Sequence, residues 1–513
     1  MSNLYTALCT EGTADGLAFI RQPSGGELSY GALRAQTAQL ARALVKAGLQ
    51  PGDRVAVQVE KSATAVLLYL ATLRAGGVHV PLNSAYTLHE MEYFLDDAAP
   101  RIVVCAPEKR REMVPLAERF GGATLLTLGA DAGSGTLVAA AGTEPAEFAD
   151  VECGAADPAA ILYTSGTTGR SKGAVLTHGN LLSNARTLAQ LWRFVPADVL
   201  VHALPIFHIH GLFVAINTVL AARASLILQP RFEPAAVLAA LREATVLMGV
   251  PTFYTRLLQE PGLDRAACAR MRLFVSGSAP LLAETHRQWR ERTGHAILER
   301  YGMSETGMNA SNPCEGERVP GSVGLPLPDV ELRIADPATG TPVAAGATGV
   351  IEVRGPNVFS GYWRQPEKTR AEFRADGFFV TGDLGHIDER GYLWIVGRAK
   401  DLIITGGYNV YPREIEEAID AIDGVEESAV IGLPHADFGE GVTAVVVAPG
   451  RPAALDEAAL QHALRERLAA YKIPKRVLFV AALPRNAMGK VQKNELRRQH
   501  AGLYAAPGAP PAR

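Results

Sequence analysis

Residues 161–178, ILYTSGTTGRSKGAVLTH, gather groups suited to holding an anion. Thr164, Ser165, Gly166, Thr167, Thr168, Gly169, Arg170, Ser171 and Lys172 supply five hydroxyls, two glycines and two cations, with no large apolar side chain among them. Hydroxyls and backbone N–H groups on a glycine-containing loop can wrap phosphate oxygens, and the arginine and lysine add charge. A nucleoside triphosphate is the obvious anion of this kind. The loop is not a Walker A sequence, G-x-x-x-x-G-K-[ST], because Gly166 and Gly169 lie too close and Lys172 follows Ser171. The residues alone leave two readings open: a polyphosphate loop outside the P-loop class, or a solvated surface loop.

The surrounding chain must position that loop. With 513 residues it is too long for one compact core, so two or more domains are expected. Helix and strand patterns alternate through the first half. LSYGALRAQTAQLARALVKAGL reads as an amphipathic helix with Gly48 near its end, and Ala63 to Ala75 as an apolar helix. Val55 to Val59, Val78 to Leu82, Ile102 to Val104, Val199 to Leu204, Ser225 to Leu228, Thr245 to Gly249 and Met271 to Val275 read as strands. This rhythm predicts an α/β fold with mainly parallel sheet. Near residue 320 the texture turns to Gly, Pro and β-branched residues, which predicts β hairpins, including two strands about the Asp388-Glu389-Arg390-Gly391 turn. After residue 399 a smaller α+β unit is expected. Pro412 opens a helix whose Ile415, Ala418, Ile419 and Ile422 share one face, and Gly424 stops it. Strands are expected at Ser428 to Ile431, Val442 to Ala448 and Arg476 to Val480, and a helix at about Glu457 to Ala470. The division is then 1–399 as a large domain of α/β subdomains plus a β-rich subdomain, 400–503 as a small α+β domain, and 504–513 as a disordered Pro/Ala-rich tail.

Composition narrows the function. Lys plus Arg number 50 and Asp plus Glu 53, for a formal charge of −3, which lacks the basic footprint of nucleic-acid binding. The five cysteines are scattered without metal spacing, which predicts free thiols in a reducing compartment. MSNLYTALCTEGTADG has no basic stretch ahead of an apolar one, so no signal peptide is expected. No apolar run reaches the ~18 residues that span a bilayer. A cytoplasmic protein without nucleic-acid or membrane partners follows as the expectation.

The loop also belongs to a longer series of motifs. TSGTTGRSKG, LPIFHIHG at 204–211, SGSAPL at 276–281, ERYGMSET at 299–306, TGDLG at 381–385, GRAKDLIITGGYNVYP at 397–412 and PRNAMGK at 484–490 occur in order. In these the chain resembles the acyl-adenylate-forming superfamily of acyl-CoA synthetases, peptide-synthetase adenylation domains and luciferases. The resemblance implies a two-step reaction: a carboxylate attacks the ATP α-phosphate to give acyl-AMP and pyrophosphate, then a thiol takes the acyl group and releases AMP. It implies ATP, Mg²⁺ and coenzyme A (CoA) as cofactor or co-substrates. Thr164 to Lys172 would hold the β- and γ-phosphates, with Thr306, Asp383 at the ribose, Arg398 and Lys490 completing the nucleotide site. Glu305 would coordinate Mg²⁺. Lys490 would bridge the carboxylate and the α-phosphate. Lys400 corresponds to the hinge, and Gly406 and Gly407 to the approach of the pantetheine arm.

The same resemblance places Arg300, His208 and Ser278 at the acyl part of the substrate. A buried guanidinium needs an anionic partner, which a second substrate carboxylate would supply; the alternative is an Arg300–Glu299 pair on the surface. VEKSATAVLLYLATLRAGGVHVPLNSAYTLHEMEYFLDDAAPRIVVC, ATVLMGVPTFYTRLLQ, GSAPLLAETHRQW and PHADFGEGVTAVVV resemble bacterial malonyl-CoA synthetases in particular, from about Leu4 to Leu503. That implies malonate as the acid. Methylmalonate would be tolerated, since one methylene discriminates by only ~1–3 kcal/mol. A ligase for a short monocarboxylic or aryl acid, an enzyme loading a separate carrier protein, and a non-catalytic ATP-binding protein are the alternatives. Acetylation of Lys490 by a lysine acetyltransferase would delete its charge.

Overall fold

The computed structural model describes residues 3–504, except 11, 23–24, 132, 165–170, 407, 436, 451–454 and 487–488. The tail beyond Tyr504 therefore lies outside the described residues. Tyr504, counted in that tail, is instead held: its hydroxyl lies 2.9 Å from Thr443 Oγ1.

Packing divides the chain into Met1–Glu331 with Val353–Phe379, and Leu332–Glu352 with Val380–Arg513. The hairpins of 332–352 and 380–398 thus belong by packing with the C-terminal unit, whereas their texture grouped them with the large domain. Phe379–Ile387 pairs with Leu393–Arg398, and Arg413, on the first helix of the small unit, donates to the Ile395 carbonyl at 2.9 Å.

The first unit carries two sheets. In the seven-stranded one, Val78–Pro81, Arg54–Gln58, Ile102–Cys105 and Thr124–Thr127 run parallel. The nine-stranded one has a parallel centre formed by Ala18–Gln22, Ser225–Leu228, Val199–His202, Val246–Gly249, Leu273–Ser276 and Leu298–Met303. Helices such as Tyr30–Lys46 and Ala63–Arg74 link the strands. The Ser29 hydroxyl caps the former by accepting from the Ala32 amide. Strands such as Ile102–Cys105 and Val246–Gly249 are buried along their whole length. That is why they are continuous apolar runs rather than alternating ones.

Two features position chemistry. Pro158–Thr164 pairs antiparallel as a hairpin with Lys172–Thr177, which sets Thr164 and Lys172, the first and last residues of the polar stretch, opposite each other. Strand Leu273–Ser276 runs directly into the SGSAPL turn, beside the parallel strand Leu298–Met303 that carries Arg300.

The second unit holds a four-stranded sheet of Glu331–Ala335, Gly349–Arg354, Phe379–Ile387 and Leu393–Arg398, and a five-stranded one built on Gly439–Val447. Helix Pro412–Asp420 buries Ile415 and Ile419 but ends before Ile422. Helix Glu457–Arg465 likewise stops short of Ala470, because the Leu464 carbonyl accepts from both Arg467 and Leu468 and closes the last turn. Among the described residues, no helix is long and apolar enough to cross a membrane.

Candidate active site

The hairpin fixes Lys172 at the exit of the polar loop. Its ammonium lies 3.1 Å from Glu372 Oε1 and 4.8 Å from the centre of the Tyr362 ring. Tyr362 in turn places its hydroxyl 2.6 Å from Glu372 Oε2 and 3.2 Å from Glu305 Oε1. One phenolic proton cannot serve two carboxylates; the shorter contact assigns it to Glu372. Burial and the two carboxylates both push the Tyr362 pKa up, so it stays a neutral donor. The loop's lysine and the buried Glu305 are thereby tied together through two residues, Tyr362 and Glu372, that the sequence did not single out. Thr306 is buried, and its hydroxyl has no hydrogen-bond partner among the described residues. Ser165 to Arg170 lie outside the described residues.

Among the described residues, no group of three or more His, Cys, Asp or Glu side chains could hold a metal by itself. One buried carboxylate, Glu305, fits Mg²⁺ nonetheless. That ion gives up water reluctantly and is usually held by one or two carboxylates plus substrate phosphates.

Arg300 is buried, 3% exposed, and its Nε and Nη2 have no hydrogen-bond partner among the described residues. Glu299 does not balance it on the surface, for Glu299 is buried too and accepts from the Gly321 amide at 2.9 Å. Burial lowers the Arg300 pKa to about 9, with Tyr254 opposing, so the group remains a cation at neutral pH. Tyr254 and His210 are among the titratable groups close enough to feel its charge. His210 is fully buried, with its pKa held well below the ordinary value by burial, then by Arg300, His208 and His202. It is therefore a neutral imidazole. Ser278 Oγ lies 3.3 Å from His210 Nδ1, and His210 Nε2 is buried with no hydrogen-bond partner among the described residues. With Ser278 donating to Nδ1, Nε2 carries a proton that the protein leaves unused. Ser278 sits at φ +71°, uncommon for a residue with a side chain. His208 is half-buried, and its Nδ1 accepts from the His210 amide at 3.3 Å. The SGSAPL turn thus brings Ser278 to His210. His210 lies in the quoted LPIFHIHG motif, but two histidines one residue apart cannot be ranked from sequence.

The second unit gathers the remaining groups. Asp383 and Arg398 face each other across paired strands, Nε to Oδ1 2.8 Å. Asp401 pairs with Arg497 at 2.7 Å. Lys490 follows a tight turn in which its amide donates to Asn486 Oδ1 at 3.0 Å and Gly489 adopts φ +73°. Burial, then the charge of Arg398, lowers the Lys490 pKa to about 8, with Asp383 opposing. Burial also lowers the pKa of Lys400. Gly406 takes φ +56°, and its amide donates to the Phe438 carbonyl; Gly407 lies outside the described residues. Around that turn, Ile404, Tyr408, Phe438 and Tyr471 are exposed. The Tyr408 and Tyr471 rings stack at 4.6 Å, and the Lys475 ammonium is 3.6 Å from the centre of the Phe438 ring.

A pH dependence follows from Lys490. Folding depresses its pKa from 10.5 to about 8. The cost of burying its charge is therefore full below about 8 and relieved as pH rises toward the unfolded value. A step that needs the ammonium runs the other way. Its kcat/KM should fall above an apparent pKa near 8, since kcat/KM reports the free enzyme. Pyrophosphate release measured across the alkaline range checks this. Lys490→Arg should remove that limb, and a wild-type profile flat well beyond this value would contradict it.

The chain is similar to known proteins over nearly all of its length. A family model described as AMP-binding enzyme matches residues 9–363, and one described as AMP-binding enzyme C-terminal domain matches residues 414–490. The crystal structure of ATP-bound MatB from Rhodopseudomonas palustris is 59% identical, with a TM-score of 0.96 over 98% of this chain and 99% of that one. The mitochondrial malonate–CoA ligase ACSF3 of Mus musculus is 38% identical over 501 residues, 90% of this chain and 85% of its own length. A feruloyl-CoA synthase from Amycolatopsis is 37% identical, covering 93% of this chain and 94% of its own.

Proposed function

Because the chain belongs to the AMP-binding enzyme family, we propose that it is an AMP-forming acid–thiol ligase that converts malonate, ATP and CoA to malonyl-CoA, AMP and pyrophosphate. The single observation that carries the choice of acid is Arg300: a buried guanidinium with unused donors and, among the described residues, no carboxylate partner. A substrate with a second carboxylate supplies the missing anion, and His210 Nε2 offers it a further donor. The similarity to malonate–CoA ligases points the same way.

The first step brings a carboxylate to a polyphosphate, so neutralising and positioning two anions is the main task. We assign phosphate binding to Thr164 through Lys172 and to Thr306. Glu305 holds Mg²⁺, which when bound spreads the charge of the phosphates. Asp383 accepts from the ribose hydroxyls, and Arg398 holds it in place. Lys490 supplies the mobile positive charge between the reacting carboxylate and the α-phosphate. His208, Ser278 and Arg300 hold the acid. For the thioester step we place the pivot at Lys400 and the pantetheine path along Gly406 and Gly407. The exposed Tyr408 and Tyr471 rings suit the adenine of CoA, and Lys472 and Lys475 its phosphates.

AMP release with MgATP and CoA, across malonate, methylmalonate, succinate, acetate, propionate and benzoate, tests the reading. It requires strong malonate-dependent release, a weaker methylmalonate signal and little from the monoacids. Release led by acetate, propionate or benzoate refutes the acid assignment while keeping the ligase.

A further inference from the structure

We propose that Gly277 is a specificity-determining position, because its missing side chain leaves the space in which the Arg300 guanidinium lies. The proposal rests on the malonate reading above, in which Arg300 receives the distal carboxylate.

A Cβ built on Gly277 would stand 2.5 Å from Arg300 Nη1 and 2.6 Å from Nε, with Cζ closer still. Real Cβ atoms essentially never approach below 3.0 Å. The three nearest atoms it would meet all belong to that guanidinium. The backbone offers no other reason for glycine here, since Gly277 is absent from the positive-φ positions, whereas its neighbour Ser278 is at φ +71° and carries a side chain. The position is therefore reserved for Arg300 rather than for a turn.

The geometry also says what gives way. Strand Leu273–Ser276 leads into Gly277 and is wholly buried, so the backbone is held. Arg300 is the flexible partner and must withdraw its head group. It has little room to do so, being 3% exposed with His210 nearby. The displaced guanidinium loses its aim at the substrate carboxylate, while the nucleotide groups, on other elements, keep theirs. Gly277 is thus a positioning residue that acts through Arg300. A monocarboxylic acid, which has no use for the guanidinium, should be little affected.

The test is Gly277→Ala, assayed for adenylation with malonate and with propionate, alone and combined with Arg300→Leu. A shift of about 1 Å in a positioned group can cost about 10²-fold. The expected result is therefore a fall of that order in kcat/KM for malonate, carried mainly by KM, with the KM for ATP and the slow propionate rate changed by less than about 3-fold. In the Arg300→Leu background the added alanine should cost nothing further. If Gly277→Ala alone does not fold, the double variant should fold, because the clash has been removed. Equal loss on malonate and propionate, an additive loss in the double variant, or failure of both variants to fold would each overturn the proposal. If Arg300→Leu itself spares malonate, the malonate reading fails and takes this proposal with it. If Arg300→Leu abolishes malonate use while Gly277→Ala does nothing, only the present proposal fails.

Discussion

Lys490→Met should lower malonate-dependent pyrophosphate release by about 10²–10³-fold, the usual cost of deleting one group that stabilises transition-state charge. The same variant, given preformed malonyl-AMP and CoA, should make malonyl-CoA within about 3-fold of wild type, because no second anion then has to be neutralised. The split between half-reactions is the informative part. A lysine that only supported the fold would depress both. The position suits the role: a turn closed by Asn486 and Gly489 holds the backbone, and the Lys490 pKa of about 8 leaves the ammonium present yet incompletely balanced by Asp383. Methionine keeps the length and apolar stem, so the loss reports the charge. Acetylation of Lys490 would reproduce the methionine phenotype. Peptide mapping after treatment with a lysine acetyltransferase reads it directly. Equal loss in both half-reactions would remove Lys490 from the adenylation step.

Arg300→Leu should have the second large effect. Removing one partner of a buried ion pair typically costs 3–5 kcal/mol, or roughly 10²–10³·⁵-fold in kcat/KM for malonate. Propionate should gain on malonate by the same factor, since the buried cation that disfavoured its methyl group has gone. Leucine fills most of the space left in a buried position, and stability should not fall, because apolar replacement of a buried charge is often neutral or stabilising. Lower activity with every acid together with a lower melting temperature would mean that Arg300 supports the fold instead.

Much of this was legible before the structure. Buried strands announce themselves as short apolar runs, so Ile102–Cys105 and Ser225–Leu228 fall where expected. A candidate ligand-binding stretch is also readable when it is contiguous, as Thr164 to Lys172 are in sequence. What escaped depends on contacts between distant segments. Glu372 meets Lys172 across 200 positions, and no local pattern marks it. Tyr362, in an ordinary-looking GYW, is informative only once its hydroxyl is seen between two carboxylates. Gly277 looks like any turn glycine until the Arg300 side chain is placed against it. His208 was singled out and His210 was not, because burial and an orphaned ring nitrogen are three-dimensional facts. The helix ending at Arg465 rather than near Ala470 is a smaller case, decided by a single carbonyl accepting twice.

The most direct measurement is a competition. Purified protein with MgATP and limiting CoA receives equal concentrations of malonate, propionate and benzoate, and the acyl-CoA products are separated and identified by mass. Malonyl-CoA as the dominant product, giving way to propionyl-CoA in Arg300→Leu, is the predicted result. Propionyl-CoA or benzoyl-CoA dominant in the wild type would contradict the assignment of Arg300 to a substrate carboxylate.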